Sequence, residues 1–581
     1  MRYFFVLILL FVFAFNSVAF ASLKPRAAAD LAAALNQFLD QAEAFGFSGS
    51  VLIAVDGKVL VNKGYGLANR EKNIAVKAND VFDIGSITKQ FTAAAIMKLE
   101  MLGKLKTEDL ISKYLEGVPA DKAQITLHQT LTHTAGFINY SGGDYEVSER
   151  DETIKRILAA PLTHKPGTEM RYSNSGYSIL AAIVENVSGE SYESFLSEQI
   201  FKPAGMMNTG YVLPKFDKAT LPHAYENGKD LGTALDYKWS PTGPYWNLFG
   251  NGGTFSTTGD MYKWYQALQG EKVLSAAAKK KLFTPFLNNY AYGWDVSQTP
   301  QGLLITHNGA SDNGFNGTVG FYPEKKIFGV VLSNGSRYLD LQIYSDVIMN
   351  RIGKIMAGEE FKPLASLNFV KLQPVAYSNI GTYRLENGDE FRITLREGGL
   401  LLEPFGQSAA MALGQFPKAN PGELSAINEK AKPVIEGILK KDYTAFKSNI
   451  ADGATFDRLK GVLEQRISEW EKSDGPIKLL TVAGTVPAWW TDEQMPTTFV
   501  NVQMEKRSRL FRLNWKEGKI TNIGGAGIPA PILIQMLPTS QTDFLGWQIV
   551  TSRPNAVRFS PDGKTVSVTA DGRTTIAKKV E

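Results

Sequence analysis

The sequence has no cysteine and only five histidines among its 581 residues. The lack of cysteine excludes disulfide bonds, a thiol nucleophile and a lipid-bearing N-terminal cysteine. The histidines lack the spacing of a metal-ligand motif, which argues against a zinc hydrolase, and we expect neither a metal nor a cofactor. Stability must therefore come from buried apolar cores, and the length suggests two or three domains.

Neither sign of charge is in large excess. The chain has 62 basic and 58 acidic residues, a net charge of +4 and no long basic run. Nucleic-acid binding requires a concentrated basic patch, so nucleic acid is not an expected partner. The composition leaves the oligomeric state open.

The N-terminal segment, residues 1–21, has the layout of a secretory signal peptide. Arg2 precedes an apolar run over residues 4–15, and the small-x-small sequence AFA follows at residues 19–21. This run is too short for a stable membrane span. We therefore expect a bacterial protein that is exported to the periplasm or secreted, that begins at Ser22 and that keeps no transmembrane segment after cleavage.

The stretch around which the chain is organised is residues 82–96, where Ser86 and Lys89 stand three positions apart. The pattern predicts a turn followed by a helix that ends near Gly103. Residues three apart on a helix are neighbours, so the Lys89 amine is expected within hydrogen-bond reach of the Ser86 hydroxyl. A lysine with a lowered pKa is able to take the serine proton, and the helix start offers the Ser86 N–H to an oxyanion.

Chance is the competing explanation for this spacing. Ser-x-x-Lys is expected about twice in a chain of this length at ordinary residue frequencies. It occurs once here, at a helix start. We therefore interpret Ser86 as the nucleophile and Lys89 as its partner in proton transfer.

The rest of residues 22–362 predicts one α+β domain. Two apolar strands flank the turn Asp56-Gly57, and three more strands are predicted over residues 303–306, 317–322 and 327–332. Because the strands stand at both ends of a mostly helical middle, we expect one antiparallel sheet flanked by helices, with a helical lobe beside it.

Four motifs resemble the serine β-lactamase and penicillin-binding-protein superfamily. They are GSITKQFT at residues 85–92, LTHTAGF at 131–137, YSNSGY at 172–177 and GGTFST at 252–257. The nearest branch is the class C β-lactamase-like group, which also holds D-alanyl-D-alanine carboxypeptidases, D-aminopeptidases and esterases. The resemblance covers about residues 30–355 and implies a β-lactamase-like fold with acyl-enzyme chemistry.

The resemblance also assigns site residues. Tyr-x-Asn occurs four times, and its context selects Tyr172 as a proton-transfer residue, as a tyrosinate beside Lys89, with Asn174 binding the substrate amide and the Lys89 amine. The family's third motif matches His307-Asn308-Gly309, where Gly309 lets the substrate backbone approach and the Ala310 N–H joins that of Ser86 in the oxyanion hole. His133 is interpreted as structural.

The C-terminal third predicts a second, discontinuous domain. Short strands over residues 377–416 and 537–581 are too few to bury a core separately, but together they predict a small β-barrel. The α+β pattern of residues 420–533 is similar to an NTF2-like cone inserted into that barrel. Positions 418 and 534 are then expected to lie close together.

Together these features predict a serine hydrolase that acts through an acyl-enzyme on a small-molecule or peptide substrate. The substrates that the resemblance implies are D-amino-acid or cell-wall peptides and small esters. By the resemblance, His307 stands where β-lactamases of this branch carry a lysine. Because a histidine is only partly charged near neutral pH, we expect weak action on β-lactams and better binding of anionic substrates as pH falls. The alternative is a penicillin- or peptide-binding sensor that is acylated without efficient turnover.

Overall fold

The computed structural model describes residues 28–580, apart from positions 227, 238, 241–242, 338–344, 397, 414–419, 451, 488–494, 507, 525–532 and 549–552. The predicted signal peptide and position 418 lie outside the described residues. No helix in the described part of the chain is both long and apolar enough to cross a membrane.

The first part of the chain is built on a six-stranded antiparallel sheet. Its strands and those of the smaller neighbouring sheets are β1 (Gly49–Val55), β2 (Lys58–Tyr65), β3 (Leu67–Asn69), β4 (Ile74–Ala75), β5 (Phe82–Asp83), β6 (Ala224–Glu226), β7 (Lys229–Gly232), β8 (Phe255–Ser256), β9 (Asp295–Thr299), β10 (Gly302–Ala310), β11 (Asn316–Tyr322), β12 (Ile327–Ser333) and β13 (Gly335–Arg337). The order in the large sheet is β2-β1-β12-β11-β10-β9. β1 and β2 are joined at Asp56 and Gly57, which both have positive φ as a tight hairpin turn requires.

Helices cover both faces of this sheet and form the lobe beside it. They are α1 (Ala28–Ala44), α2 (Lys89–Met101), α3 (Leu127–Leu131), α4 (Arg150–Ala159), α5 (Asn174–Ser188), α6 (Tyr192–Leu196), α7 (Lys202–Ala204), α8 (Thr258–Gln269), α9 (Ala276–Leu282) and α10 (Ser345–Met356). Alternate residues of β1 enter two cores: Leu52 joins the core of the helical lobe, whereas Val51 and Ile53 pack with α1 and α10. Because both faces are buried, residues 51–55 of β1 are all apolar rather than alternating with polar residues.

The C-terminal part contains an eight-stranded barrel and a smaller α+β unit. Its elements are β14 (Gly381–Arg384), β15 (Glu390–Arg396), β16 (Gly399–Phe405), α11 (Gln407–Leu413), α12 (Pro421–Leu439), α13 (Thr444–Ser448), α14 (Gly453–Asp474), β17 (Ile477–Pro487), β18 (Pro496–Met504), β19 (Ser508–Lys516), β20 (Lys519–Gly524), β21 (Ile534–Pro538), β22 (Asp543–Gln548), β23 (Arg553–Phe559), β24 (Thr565–Ala570) and β25 (Arg573–Lys579). The closed barrel runs β14-β15-β16-β21-β22-β23-β24-β25.

The barrel strands therefore come from two separate chain segments. β16 pairs with β21, with Leu402 opposite Ile534, although α12 to β20 lie between them in sequence. Those intervening helices pack on the four-stranded sheet β17-β18-β19-β20 around a core of their own. The β-lactamase-like fold and the barrel are confirmed, whereas the NTF2-like cone and the domain boundaries stay predictions.

Candidate active site

Ser86 and Lys89 meet where a short 3₁₀ turn enters α2. The turn spans Gly85–Thr88, and α2 begins at Lys89. Lys89 Nζ lies 3.0 Å from Ser86 Oγ, within hydrogen-bond distance. The structure thus brings together the two residues that the sequence singled out.

Lys89 is completely buried, and its amine has two further acceptors. Nζ donates to Asn174 Oδ1 at 2.6 Å and to the backbone oxygen of Asn251 at 2.7 Å. Burial lowers the pKa of Lys89 well below that of a lysine in water, against the opposing charge of Asp144. A neutral amine has two N–H groups and one lone pair. Because two carbonyl oxygens take both N–H groups, the lone pair of neutral Lys89 faces the Ser86 hydroxyl.

Tyr172 lines the same cavity as Ser86. Its hydroxyl is buried, and no described residue lies in the distance and angle range of a hydrogen bond to it. Ser86 is nevertheless near enough to act to lower the pKa of Tyr172. Burial has the larger effect and raises the pKa of Tyr172 above that of a free phenol. Burial therefore favours the neutral phenol over the resting tyrosinate that the sequence analysis expected.

His133 packs against Tyr172 from behind. Their ring centroids are 4.3 Å apart, and His133 Nδ1 accepts a hydrogen bond from the backbone N–H of Ser173 at 3.1 Å. Burial lowers the pKa of His133 well below its usual value. The ring is therefore neutral, and Nδ1 is able to accept this hydrogen bond from Ser173. This arrangement fits the structural role expected from the sequence.

The backbone of β10 passes directly over the 3₁₀ turn. A Cβ atom built on Gly85, whose φ is +52°, would lie 2.7 Å from the Ala310 nitrogen. A Cβ atom on Gly309 would lie 2.8 Å from the Ser86 nitrogen. The two backbone amides assigned to the oxyanion hole therefore lie at one junction, and the glycines are needed because backbone meets backbone there.

His307 lies in the same cavity but is not a cation. It is 6% exposed, and its Nε2 lies 3.1 Å from the Tyr290 hydroxyl oxygen. Burial lowers the pKa of His307 to about 3. The expectation of a partly charged imidazole near neutral pH is therefore wrong, because desolvation outweighs any contact that favours the charged form.

The cavity beside Ser86 has a volume of about 800 Å³. Tyr140, Tyr172, Tyr290 and His307 line it near the nucleophile, and it continues along β10, β11 and β12 towards α10. Its size suits a small molecule or a few residues of a peptide.

Sequence reasoning missed Asn251, Tyr290 and Asp144. Asn251 acts through its backbone oxygen, so its side-chain type carries no signal, although the Gly252-Gly253 that follows marks the segment. Tyr290 contacts His307 from a loop without a motif. Asp144, on the loop over residues 138–149, opposes the effect of burial on the pKa of Lys89, and no motif marks that loop.

Among the described residues, one group has the composition of a metal site. Ligand atoms of Glu71, His223 and Asp230 lie within 4.8 Å of one another. These side chains already bind within the protein, since His223 Nδ1 is 2.9 Å from Asp230 and Tyr225 donates to Glu71 at 2.7 Å. None of them lines the cavity beside Ser86.

Comparison with known proteins places this site in a family. The family model described as Beta-lactamase matches residues 31–345. Penicillin-binding protein 4* of Bacillus subtilis (strain 168) is 28% identical over 400 residues, which cover 64% of this chain and 86% of that protein. Protein flp of Staphylococcus aureus (strain COL) is 29% identical over 312 residues, or 49% of this chain and 59% of that protein.

A solved structure resembles nearly the whole chain. The octameric penicillin-binding protein homologue from Pyrococcus abyssi superposes with a TM-score of 0.52 and 19% sequence identity, and covers 95% of this chain and 100% of that one. At this identity the likeness concerns the fold alone. The family match spans more than half of the sequence, with Ser86, Lys89, Tyr172 and His307 inside it, and the chain therefore belongs to the beta-lactamase family.

Proposed function

We propose that this protein is a serine hydrolase that cleaves amide or ester bonds through an acyl-enzyme. The observation that carries the proposal is the 3.0 Å contact between Lys89 Nζ and Ser86 Oγ. It lies in a buried site that favours the neutral amine. A serine hydroxyl is a weak nucleophile until a base takes its proton, and a lysine with a lowered pKa supplies that base.

The reaction follows from the placement of these groups. Ser86 Oγ attacks the carbonyl carbon and passes its proton to the Lys89 lone pair. The N–H groups of Ser86 and Ala310 donate to the oxyanion. The proton then reaches the leaving nitrogen or oxygen from Lys89 by way of the Tyr172 phenol, and the ester on Ser86 is released by water. No step requires a metal or a cofactor.

Two further residues orient the groups that react. Asn174 Oδ1 accepts a hydrogen bond from Lys89 Nζ at 2.6 Å, and we propose that its amide N–H₂ group binds a substrate carbonyl. Gly309 keeps the β10 backbone against Ser86, so a substrate lying along that strand is held beside the nucleophile.

The substrates we propose are D-amino-acid or cell-wall peptides and small esters, with weak action on β-lactams. A β-lactam or peptide carboxylate needs a cation beside the strand, and a neutral His307 does not provide one. We further propose export to the periplasm or cell exterior, on the basis of the predicted signal peptide over residues 1–21.

Mass spectrometry of the intact protein tests the proposal. We expect a p-nitrophenyl ester to add an acyl mass transiently, with continued product release, and Ser86→Ala to show neither. An adduct on Ser86 that persists without turnover would favour the alternative, a penicillin- or peptide-binding sensor. Normal ester turnover by Ser86→Ala would overturn the assignment of the nucleophile.

A further inference from the structure

The two backbone amides assigned to the oxyanion hole come from segments that are far apart in sequence. Ser86 stands in the turn after β5, and Ala310 ends β10. A Cβ atom on Gly85 would lie 2.7 Å from the Ala310 nitrogen, so the two backbones are in direct contact. Both donors have to lie about 2.7–3.1 Å from one oxyanion. The spacing of the two segments therefore has to be fixed.

The carboxylate of Asp83 contacts both segments. Its Oδ1 accepts a hydrogen bond from the Gly85 backbone N–H at 2.8 Å, and its Oδ2 accepts one from Asn313 Nδ2 at 3.0 Å. Gly85 directly precedes the nucleophile, and Asn313 stands three residues after Ala310. One side chain thus joins the turn before Ser86 to the turn after Ala310.

Asn313 is oriented for this contact by its own turn. The Ser311 N–H donates to the Phe315 oxygen at 3.0 Å and closes the turn. The Phe315 N–H donates to Asn313 Oδ1 at 3.3 Å, so the amide N–H₂ group is the part that faces Asp83. The rings of Phe315 and Phe82 meet edge to face at 6.2 Å and add an apolar contact between the same two segments.

Both side chains are fully buried. Asp83 is 1% exposed and Asn313 is 0% exposed, and neither lines the cavity beside Ser86. Burial raises the pKa of the Asp83 carboxyl, and hydrogen bonds from Gly85, Asn313 and Ser311 oppose that rise. A buried carboxylate is destabilising unless it is hydrogen-bonded, and an apolar pair of similar size often packs with equal or greater stability. The carboxylate therefore calls for a role other than stability.

We propose that Asp83 and Asn313 are positioning residues, whose hydrogen bond sets the spacing of the Ser86 and Ala310 N–H groups in the oxyanion hole. They touch no reacting atom and act through the two turns that they join. The inference rests on the proposed function, since an oxyanion forms only if Ser86 attacks a carbonyl group. Because the oxyanion exists in the transition state and not in the bound substrate, loss of the pair should lower kcat and leave KM nearly unchanged.

Exchange of the two side chains tests the proposal. In Asp83→Asn an amide N–H₂ group meets another, and in Asn313→Asp two carboxylates meet, so each single variant loses the hydrogen bond. The double variant, Asp83→Asn with Asn313→Asp, again pairs one donor with one acceptor. In it, position 83 still accepts from the Gly85 N–H and position 313 still accepts from the Phe315 N–H.

The substrate is p-nitrophenyl acetate. We expect each single variant to lower kcat by about tenfold to a hundredfold with KM within about twofold, because a small displacement of a catalytic group has an effect of this size. The double variant should recover kcat to within about threefold of the wild type. A merely structural loss of packing would not be reversed by the exchange.

Asp217→Asn is the matched control. Asp217 Oδ1 accepts a hydrogen bond from the N–H two residues on, that of Ala219, at 3.0 Å, as Asp83 does from Gly85. Asp217 is exposed and does not line the cavity beside Ser86. Its substitution should leave kcat within about twofold of the wild type.

A thermal unfolding curve for each variant separates activity from stability. Wild-type kcat in a folded single variant, with or without a lower Tm, would overturn the inference. A folded double variant as slow as the single variants would do the same. If the single variants do not fold, the double variant decides, since kcat near the wild type supports the pair and a low kcat overturns it. Ester turnover by the wild type leaves the proposed function standing in each case, whereas no turnover and no acylation of Ser86 would overturn both.

Discussion

The backbone of Gly309 lies against the backbone of the nucleophile, Ser86. A Cβ atom at Gly309 would come within 2.8 Å of the Ser86 nitrogen and 2.1 Å of the Ile84 oxygen. Both contacts are with backbone atoms, which cannot rotate away as a flexible side chain can. The geometry of the oxyanion hole therefore depends on the absence of a side chain at position 309.

Gly309→Ala is expected to lower kcat/KM for p-nitrophenyl acetate by at least about a hundredfold, because a shift of about 1 Å between reacting groups costs that much. Steady-state kinetics and a thermal unfolding curve measure the effect. Gly461→Ala is the control, since Gly461 lies within α14 and a Cβ there meets no atom within 4 Å. It should raise the free energy of unfolding by about 0.5–1 kcal/mol and keep full activity. Equal turnover by the two variants would contradict this account.

Ser86→Ala should abolish acylation, whereas Lys89→Met and Tyr172→Phe should each lower kcat by at least about a hundredfold, the usual size for loss of an acid–base group. Methionine keeps an unbranched side chain as far as the ε carbon, with sulfur in place of the δ carbon, and removes the amine. Ester turnover and acyl-enzyme mass are the measurements. A Tyr172→Phe variant with full activity would show that the proton reaches the leaving group without the phenol.

Lys89 should also make stability depend on pH. Its pKa is lower in the folded protein than in the unfolded chain, where it is about 10.4. The unfolded state therefore binds more protons between these two values, so the free energy of unfolding rises as pH rises towards the unfolded pKa. The difference in Tm between the wild type and Lys89→Met should shift in favour of the wild type from pH 7 to pH 9.5. A constant difference would mean that Lys89 is charged in the folded protein.

His307→Lys should improve the hydrolysis of nitrocefin, a β-lactam that carries a carboxylate. A lysine adds the cation that neutral His307 does not supply, and a charge-assisted hydrogen bond is worth about 1.5–3 kcal/mol, or tenfold to a hundredfold in kcat/KM. The neutral p-nitrophenyl ester serves as the reference substrate. For the wild type, His307 contributes no change in nitrocefin binding between pH 5.5 and 8.5, because its pKa is lowered to about 3. A rise towards pH 6 that His307→Gln removes would disprove the neutral imidazole.

Trp547 should couple the barrel to the catalytic part of the chain. It is 2% exposed, and its ring lies 6.0 Å from that of Phe38 and 5.3 Å from that of Phe45, both near α1. Trp547→Ala should lower the free energy of unfolding by about 3–5 kcal/mol, as other large buried truncations do. Ile576→Ala is the matched barrel control, since Ile576 is 60% exposed and should cost about 0.5 kcal/mol or less. Equal effects in urea unfolding would mean that the contact carries no stability.

Local patterns were sufficient to predict much of the fold. The turn residues Asp56 and Gly57 predicted the first hairpin, and short apolar runs predicted β10 to β12, all of which the structure contains. The two groups of short C-terminal strands predicted a shared barrel because neither group buries a core alone. Helix spacing alone placed Lys89 beside Ser86.

The sequence alone determined which groups are available: a serine and a lysine on one helix turn, a Tyr-x-Asn and a His-x-Gly, with no thiol. Only the tertiary structure decided their protonation. Tyr172 and His307 have ordinary pKa values as isolated side chains, but burial moves that of Tyr172 up and that of His307 down. Desolvation and long-range charge depend on every element packed around a group, and no local pattern contains that information.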